Sequence, residues 1–187
     1  MQIITSFPVA DKIIEQYSEQ IKKDLPGYRN HVTRMLNYCH SLKPDLSEQD
    51  STKLQIAGAF HDIGLWTDDR VDYLDPSVEV CMQYLEQQGL TEWQQEIAII
   101  IDMHHYIKPY RGKHQQLAEL FRRADLVDFS LGLVKFGISS AFISQLKRAI
   151  PNAGFHRTLL RFSALQLTRN PLNPLPMMRL RNKYKSL

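Results

Sequence analysis

Apolar residues recur along most of the chain at intervals of three and four positions, which is the spacing of one face of an α-helix. The sequence shows no sustained alternation of apolar and polar positions, and it lacks the Asn-Gly and Asp-Gly pairs that favour hairpins. Short segments containing Pro, Gly or Asp separate the helical segments. The pattern therefore predicts an all-α protein.

The boundaries of the predicted helices follow from capping and breaking residues. Pro26-Gly27 should end the first helix, Ser47 to Asp50 resembles a capping box, Gly64 should end the third helix, and Asp75 should cap a helix that has Pro76 at its first position. The predicted helices cover residues 11–23, 28–42, 47–64, 75–88, 91–105, 115–133, 139–150 and 155–169.

Length and composition indicate one compact domain. With 187 residues and 43% hydrophobic content, the chain can bury a full core. We expect a single domain over residues 1–170, followed by a Pro-rich and then basic tail over 171–187. Cys39 and Cys81 lie at apolar positions and should be buried free thiols. Low cysteine usage and no evident signal sequence indicate a cytoplasmic protein.

The net charge of +3 is concentrated near the C-terminus. Residues 178–187 contain four cations and no acid, and the remaining chain has 19 basic against 20 acidic groups. A nucleic-acid partner is disfavoured because it usually requires a basic face on the folded domain. The longest apolar run near the middle, residues 97–101, is too short to span a bilayer, so we expect no membrane partner. A small-molecule substrate fits best, and a homo-oligomer remains open.

Potential metal ligands occur at inward-facing positions of several predicted helices. His61 and Asp62 are adjacent near the end of the third helix, and His31 shares a face with apolar residues of the second. Asp125 lies on a stripe with Phe121 and Phe129. A buried carboxylate is costly unless it is paired or metal-bound. Imidazoles and carboxylates together suit a divalent transition metal.

Each residue also has a purely structural interpretation. His31 alone could be a hydrogen-bonded core histidine, and His61-Asp62 alone could be a helix-end pair. Asp125 alone could form a salt bridge with Arg122 or Arg123. Their combination is what favours a metal site.

The combination resembles the metal-binding signature of the HD-domain superfamily of metal-dependent phosphohydrolases. The flanking segments 30–35, 60–64 and 123–128 strengthen the resemblance, which covers about residues 28–130. It implies an HD-domain helical bundle in which His31, His61, Asp62 and Asp125 hold a divalent ion (Zn, Mn, Ni, Co, Mg or Fe). It also implies that a metal-bound water is the nucleophile.

His104-His105 resembles the paired histidines of the superfamily branch with two metals, which includes cyclic-dinucleotide phosphodiesterases and diiron oxygenases. That branch has a further histidine where this chain has Asp75-Pro76. His104 and His105 are therefore expected either to hold a second metal or to contact substrate or the metal-bound water.

Other positions depart from particular branches. Leu65 stands where the nucleotidase branch has Glu and where the cyclic-dinucleotide branch has Lys, and the chain contains no Gly-Tyr-Pro motif. The acidic and aromatic segments 65–69 and 72–74 are closer to small stand-alone HD proteins, some of which resemble cyanamide hydratase.

Six residues outside the predicted ligand set are candidates for a role in the reaction. Candidate proton-transfer groups are His104, His105 and Asp128, and candidate phosphate-binding cations are Arg34, Lys108 and Arg111. The alternative for these cations is a solvated basic loop and a helix-surface ion pair.

The expected function is metal-dependent hydrolysis of a phosphate ester or nucleotide. One alternative is a hydratase or lyase acting on a small nitrile-like or amide-like substrate, or a diiron oxygenase. A second alternative is a non-catalytic, metal-bearing ligand-binding domain.

Overall fold

The structure, a computed structural model, describes residues 2–68, 72–106 and 108–172. Within these ranges it is helical and contains no strand, which confirms the all-α prediction. The helices are α1 (Pro8–Gln16), α2 (Ser18–Ile21), α3 (Leu25–Leu42), α4 (Glu48–Phe60), α5 (Gly64–Thr67), α6 (Leu74–Gln87), α7 (Gln94–Met103), α8 (Gln115–Phe129), α9 (Ser140–Ala149) and α10 (Phe155–Arg169). None of them is long and apolar enough to cross a membrane.

Helices α3, α4, α7 and α8 surround the centre of the molecule. Helix α3 packs along α8, α4 lies against α1 and α7, and α7 also contacts α6 and α8. One core joins these helices and includes Ile14, Val32, Leu36, Phe60, Ile100 and Phe121. Cys39 and Cys81 are buried in it as free thiols, as the sequence predicts.

The N-terminal segment differs from the single helix predicted for residues 11–23. Helix α1 ends at Gln16, and Lys22 has a φ of 55°, so the chain bends before α3 begins. Pro26-Gly27 does not break a helix but lies in the first turn of α3, where the missing N–H of proline costs no hydrogen bond. A Cβ on Gly27 would lie 3.0 Å from the Ala153 carbonyl oxygen, so this glycine allows α10 to approach α3.

Gly64 was predicted to end a helix, and that prediction is wrong. Helix α4 ends at Phe60, a turn follows, and Gly64 begins the short helix α5. A Cβ at Gly64 would lie 2.4 Å from the carbonyl oxygen of Tyr73. The Gly64 N–H also donates to the Ser77 hydroxyl at 2.9 Å. The glycine is therefore needed for close packing against the start of α6.

Two of the predicted helix starts are confirmed. Ser47 caps α4 by accepting from the Asp50 N–H at 3.0 Å, and Ser139 caps α9 by accepting from the Phe142 N–H at 3.2 Å. Asp75 is not an N-cap: Tyr73 occupies that position, and Asp75 lies inside the first turn of α6. The Asp75 carboxylate there still interacts favourably with the positive end of the helix dipole.

Helix α8 ends at Phe129 rather than at residue 133. The Gly132 N–H donates to the Val127 carbonyl at 2.8 Å while Leu131 adopts a φ of 55°, which is a Schellman-type helix end. Phe129 is 53% exposed, so its predicted place on the buried stripe with Asp125 is wrong.

Candidate metal centre

Helices α3 and α8 bring together two residues of the predicted site. His31 lies within α3 and Asp125 within α8, and both side chains are buried. The His31 Nε2 atom is 3.4 Å from the Asp125 Oδ1 atom. Asp125 does not pair with the neighbouring arginines, because Arg122 and Arg123 both bind Glu119.

His61 and Asp62 follow directly after the last residue of α4. His61 is the C-cap of this helix, and its Nδ1–H donates to the Gly58 carbonyl, three residues earlier, at 2.8 Å. That bond satisfies a carbonyl that the helix end leaves unpaired. It also turns Nε2 inward, where it is 3.1 Å from the His31 Nε2 atom and 3.3 Å from Asp62 Oδ2.

His104 has the same local arrangement at the end of α7. It is the C-cap of that helix, and its Nδ1–H donates to the Ile101 carbonyl at 2.6 Å. The Nε2 atom then lies 3.6 Å from Asp62 Oδ1. His104 is 2% exposed.

Asp128 lies behind His31 and does not face the centre of the cluster. The His31 Nδ1–H donates to Asp128 Oδ2 at 2.8 Å. Arg34 donates to both oxygens of the same carboxylate at 2.6 and 2.7 Å, and also to the Pro151 carbonyl at 2.9 Å. In this arrangement Asp128 contacts the Nδ1 side of the His31 ring. Arg34 is 2% exposed, and its guanidinium binds the Asp128 carboxylate.

The charges of the cluster support one another. Burial opposes protonation of His31, but hydrogen bonds with Asp125 and Asp128 and their charges outweigh burial and raise the pKa of His31 to about 9. Burial likewise opposes ionisation of Asp128, yet Arg34 and His31 lower its pKa to about 2. Burial of Asp62 is outweighed by His61 and His104, which hold its pKa well below the usual range. The site is therefore built to retain a positive charge between its carboxylates.

The donor set fits a divalent ion. His31, His61 and His104 each donate a hydrogen bond through Nδ1, which leaves Nε2 as a lone-pair donor directed into the cluster. The Nε2 atom of His104 and the Oδ1 atom of Asp62 are buried and have no hydrogen-bond partner among the residues that the structure describes. Separations of 3.1–3.6 Å between donors match those of atoms that share one ion with bonds of about 2.0–2.2 Å.

The donor atoms form three overlapping groups, which account for six residues, and within each group the atoms lie within 4.8 Å of one another. The groups are His31, His61 and Asp125; His61, Asp62 and His104; and His104, His105 and Asp125. Asp125 joins the first group to the third, which would allow a second ion beside the first.

His105 and Tyr73 form a pair beside these donors. The Tyr73 hydroxyl donates a short hydrogen bond to His105 Nε2. Burial and the charge of His104 lower the pKa of His105 to about 3, so its ring is neutral. Burial and the charges of Asp62 and Asp125 raise the pKa of Tyr73 well above 10, so its hydroxyl stays protonated. Sequence reasoning missed Tyr73, because nothing near it in the chain indicates a partner 32 residues away.

Aromatic side chains hold the imidazoles in place. The Phe155 ring stacks on His31, with ring centroids 4.0 Å apart and an interplanar angle of 9°. Tyr28 lies beside His61, and its hydroxyl donates to the Ala59 carbonyl at 2.9 Å. Phe155 begins α10, which Arg161 and Thr158 anchor to Asp24 at 2.6 and 2.9 Å.

Two predicted phosphate-binding cations lie at the surface. Lys108 and Arg111 are both exposed. Arg111 lines a surface groove together with Pro109, Gln115 and Arg123. The groove contains none of the donor residues of the cluster.

Comparison with known proteins identifies the family of the chain. The family model described as HD domain matches residues 28–130, which include every donor residue of the cluster. No curated protein and no solved structure matches the chain. The family match covers more than half of the 187 residues, and the chain therefore belongs to the HD-domain family.

Proposed function

We propose that the protein is a metal-dependent hydrolase that acts on a phosphate ester or nucleotide. His31, His61, Asp62 and Asp125 would hold the ion, in keeping with the HD-domain family. The ion itself would lower the pKa of a bound water toward neutrality and polarise a phosphoryl oxygen.

One observation carries this proposal. The Nε2 atoms of His31 and His61 are 3.1 Å apart, and each ring already donates through its Nδ1–H. Two lone pairs at that separation repel each other unless a cation lies between them. A proton on His31 can provide that charge in the metal-free protein, and a divalent ion provides it when bound.

The surrounding residues would have distinct tasks. Asp128 fixes the His31 ring through Nδ1, and Arg34 fixes Asp128 through two hydrogen bonds. Tyr73 and His105, joined by a hydrogen bond beside the donors, would form the proton-transfer pair. The low pKa of His105 means that its ring would pass a proton on and not hold it. Asp128 and Arg34 bind each other, so we propose His105 and not Asp128 for this step.

A second candidate function has its own supporting observation. The donors of His104, His105 and Asp125 also lie within 4.8 Å of one another. Two ions bound in this cluster would favour the two-metal branch of the family, including oxygenase chemistry.

The commitment of Arg34 to Asp128 favours a third candidate. It removes one of the three cations proposed to bind phosphate, which is compatible with a hydratase or lyase acting on a small neutral substrate.

Elemental analysis combined with a substrate panel tests the proposal. The wild type, Asp62→Asn and the control Asp45→Asn would be purified without chelator. Asp45 suits the control because it is an exposed carboxylate whose ion pair among the described residues is with Lys43. We expect about one divalent ion per chain in the wild type and the control, and loss of the ion in Asp62→Asn. Metal-dependent hydrolysis of phosphate esters or nucleotides should follow metal content.

The remaining results separate the candidates. Two irons per chain with oxygen consumption would replace hydrolysis by oxygenase chemistry. One ion without turnover of any phosphate compound would favour the hydratase or the non-catalytic alternative. A wild type that binds no metal would contradict the proposal as a whole.

A further inference from the structure

The charged residues are segregated along the chain at the end of α8. All 20 acidic residues lie within residues 1–128, together with 13 of the 23 cations. Residues 129–187 carry the other ten cations and no acid. The basic character expected of the last ten residues thus extends back through α10 and α9. The net charge of residues 1–177, with 19 basic and 20 acidic groups, conceals this basic segment.

Part of this acid-free region forms a groove between α9 and the loop that precedes it. The groove has a volume of about 390 Å³. It is lined by three cations and two hydroxyl groups, from Lys135, Ser140, Ser144, Lys147 and Arg148.

The three cations of the groove donate their hydrogen bonds to neutral groups. Lys135 donates to the Ser140 hydroxyl at 2.7 Å and Arg148 to the Ser144 hydroxyl at 3.0 Å. Lys147 donates to the Leu131 carbonyl at 3.2 Å. None of the ion pairs found among the described residues includes any of the three. Three positive charges thus share one groove without a carboxylate, and the serine hydroxyls can donate to an added anion.

The rim of the groove is apolar and exposed. Leu133 is 87% exposed, Leu131 50% and Val134 38%, and all three lie on the loop that carries Lys135. Leu131 has a φ of 55°, at the helix-end position that usually holds glycine. This position therefore presents a leucine to solvent in a conformation that disfavours leucine.

The cations of the groove and the apolar side chains of its rim together favour one class of ligand. A free phosphate or small phosphate ester would use the cations but would leave the exposed leucines without a partner. A nucleic acid would favour freely exposed aromatic rings for stacking. Here Leu131, Leu133 and Val134 are aliphatic, Arg123 lies over the Phe136 ring at 5.5 Å, and the exposed Phe129 ring already stacks on His156. An exposed apolar loop next to a groove that holds three cations and no carboxylate matches a bilayer with anionic lipids, which offers phosphate groups above an apolar layer.

We propose that the groove of Lys135, Lys147 and Arg148 binds the phosphate group of an anionic membrane lipid while Leu131, Leu133 and Val134 enter the bilayer interface. The contact is peripheral, in keeping with described helices that do not span a membrane. It does not involve the metal centre, and its test is independent of the proposed hydrolase activity.

Vesicle co-sedimentation of the full chain tests this proposal. Vesicles of phosphatidylcholine alone would be compared with vesicles in which about 30% of the lipid is phosphatidylserine or phosphatidic acid. We expect binding to the anionic vesicles only, and weaker binding at higher salt. Lys135→Gln with Lys147→Gln and Arg148→Gln should weaken binding to the anionic vesicles by about a hundredfold, because three electrostatic attractions to the lipid surface are lost. Leu133→Ser, which leaves the charge unchanged, should weaken it by about tenfold.

The matched control removes the same charge from the tail, with Arg179→Gln, Arg181→Gln and Lys183→Gln. A much smaller loss of binding in this control supports the groove as the site, whereas an equal loss would assign binding to net charge and overturn the proposal.

Calorimetry with inorganic phosphate and glycerol phosphate distinguishes a soluble phosphate ligand from a lipid phosphate. Tight binding of these soluble probes without vesicle binding would overturn the lipid as ligand. Absence of binding to any probe would overturn the phosphate chemistry and leave the surface to an acidic protein partner.

Discussion

His61 and His104 occupy equivalent positions at the ends of two different helices. Each is the C-cap of its helix, and each donates from Nδ1 to the carbonyl three residues earlier, at 2.8 and 2.6 Å. Their rings meet edge to face with centroids 4.9 Å apart, and both Nε2 atoms lie near the Asp62 carboxylate. Backbone carbonyls left over by helix geometry thus orient two of the ligand candidates.

Replacing Asp128 should weaken the centre although Asp128 does not face it. Asp128→Asn keeps the size of the side chain but removes the charge that orients His31 and binds Arg34. We expect metal affinity to fall about tenfold to a hundredfold, measured by competition with a chromophoric chelator. The metal-free protein should lose about 3 kcal/mol of unfolding free energy in urea, because Arg34 is left buried without a full partner.

Asp45→Asn is the control for this substitution, because Asp45 is exposed and, within the described part of the chain, forms an ion pair with Lys43 alone. It should change neither quantity. Unchanged metal affinity in Asp128→Asn would show that Asp128 does not position His31.

The stabilisation gained from metal should increase with pH. The pKa of His31 is raised from 6.5 to about 9 in the folded protein. Its contribution to stability without metal is therefore fully present below pH 6.5 and is lost as pH rises through about 9. A metal needs the deprotonated ring, so its apparent affinity rises over the same interval.

Thermal unfolding with Zn and with chelator, at half-unit steps from pH 6 to 9, measures this difference. We expect the gap in Tm to widen by several degrees as pH rises. In His31→Gln this widening should disappear. A gap that stays constant across the interval in the wild type would contradict the assigned role of His31.

Two glycine substitutions should have unequal costs. A Cβ at Gly64 would meet the Tyr73 backbone at 2.4 Å, whereas a Cβ at Gly58 would meet side chains, the flexible end of Met35 at 3.0 Å and a Val32 methyl at 3.2 Å. Gly64→Ala should therefore reduce the unfolding free energy by about 2–3 kcal/mol. Gly58→Ala should cost less than about 1 kcal/mol, since Met35 can move and alanine favours the helix. Urea denaturation of both variants checks the order, and equal costs would refute the packing role of Gly64.

Removing the Tyr73 hydroxyl should affect turnover and not metal content. Tyr73→Phe keeps the buried ring but deletes the donor to His105. We expect the metal per chain to stay unchanged while kcat on a hydrolysed substrate falls about tenfold to a hundredfold and its pH profile changes. Tyr28→Phe is the matched control, because its hydroxyl donates to the Ala59 carbonyl instead. This control should lose about 1 kcal/mol of stability and keep its pH profile. Similar kinetics in both variants would remove Tyr73 from the proton-transfer pair.

The sequence was sufficient for the fold class and for most helix positions, because the apolar periodicity is strong from α3 to α10. It also named His31, His61, Asp62 and Asp125, since each lies at an inward helical position or a helix end. The structure places His31, His61 and Asp125 in one group of donors and Asp62 in another, with His61 and His104. Arg34 and Asp128 could not be related in this way. They are 94 residues apart in the chain, and their hydrogen bonds depend on how α3 packs on α8.

Gly64 shows a different limit. A glycine after a helical segment usually indicates a helix end, but a tight contact between backbones requires glycine equally. Only the position of the Tyr73 carbonyl distinguishes the two explanations. Local patterns give helix faces and caps reliably, whereas contacts between distant segments decide what the residues on those faces do.

The acid-free stretch that begins at residue 129 also divides the charge of the chain along its sequence. Residues 1–128 have a net charge of −7 and residues 129–187 a net charge of +10, so the overall value of +3 describes neither part. A partner that contacts mainly residues 129–187 therefore meets a cationic segment, whereas one that contacts mainly residues 1–128 meets an anionic one, and added salt would weaken both attractions.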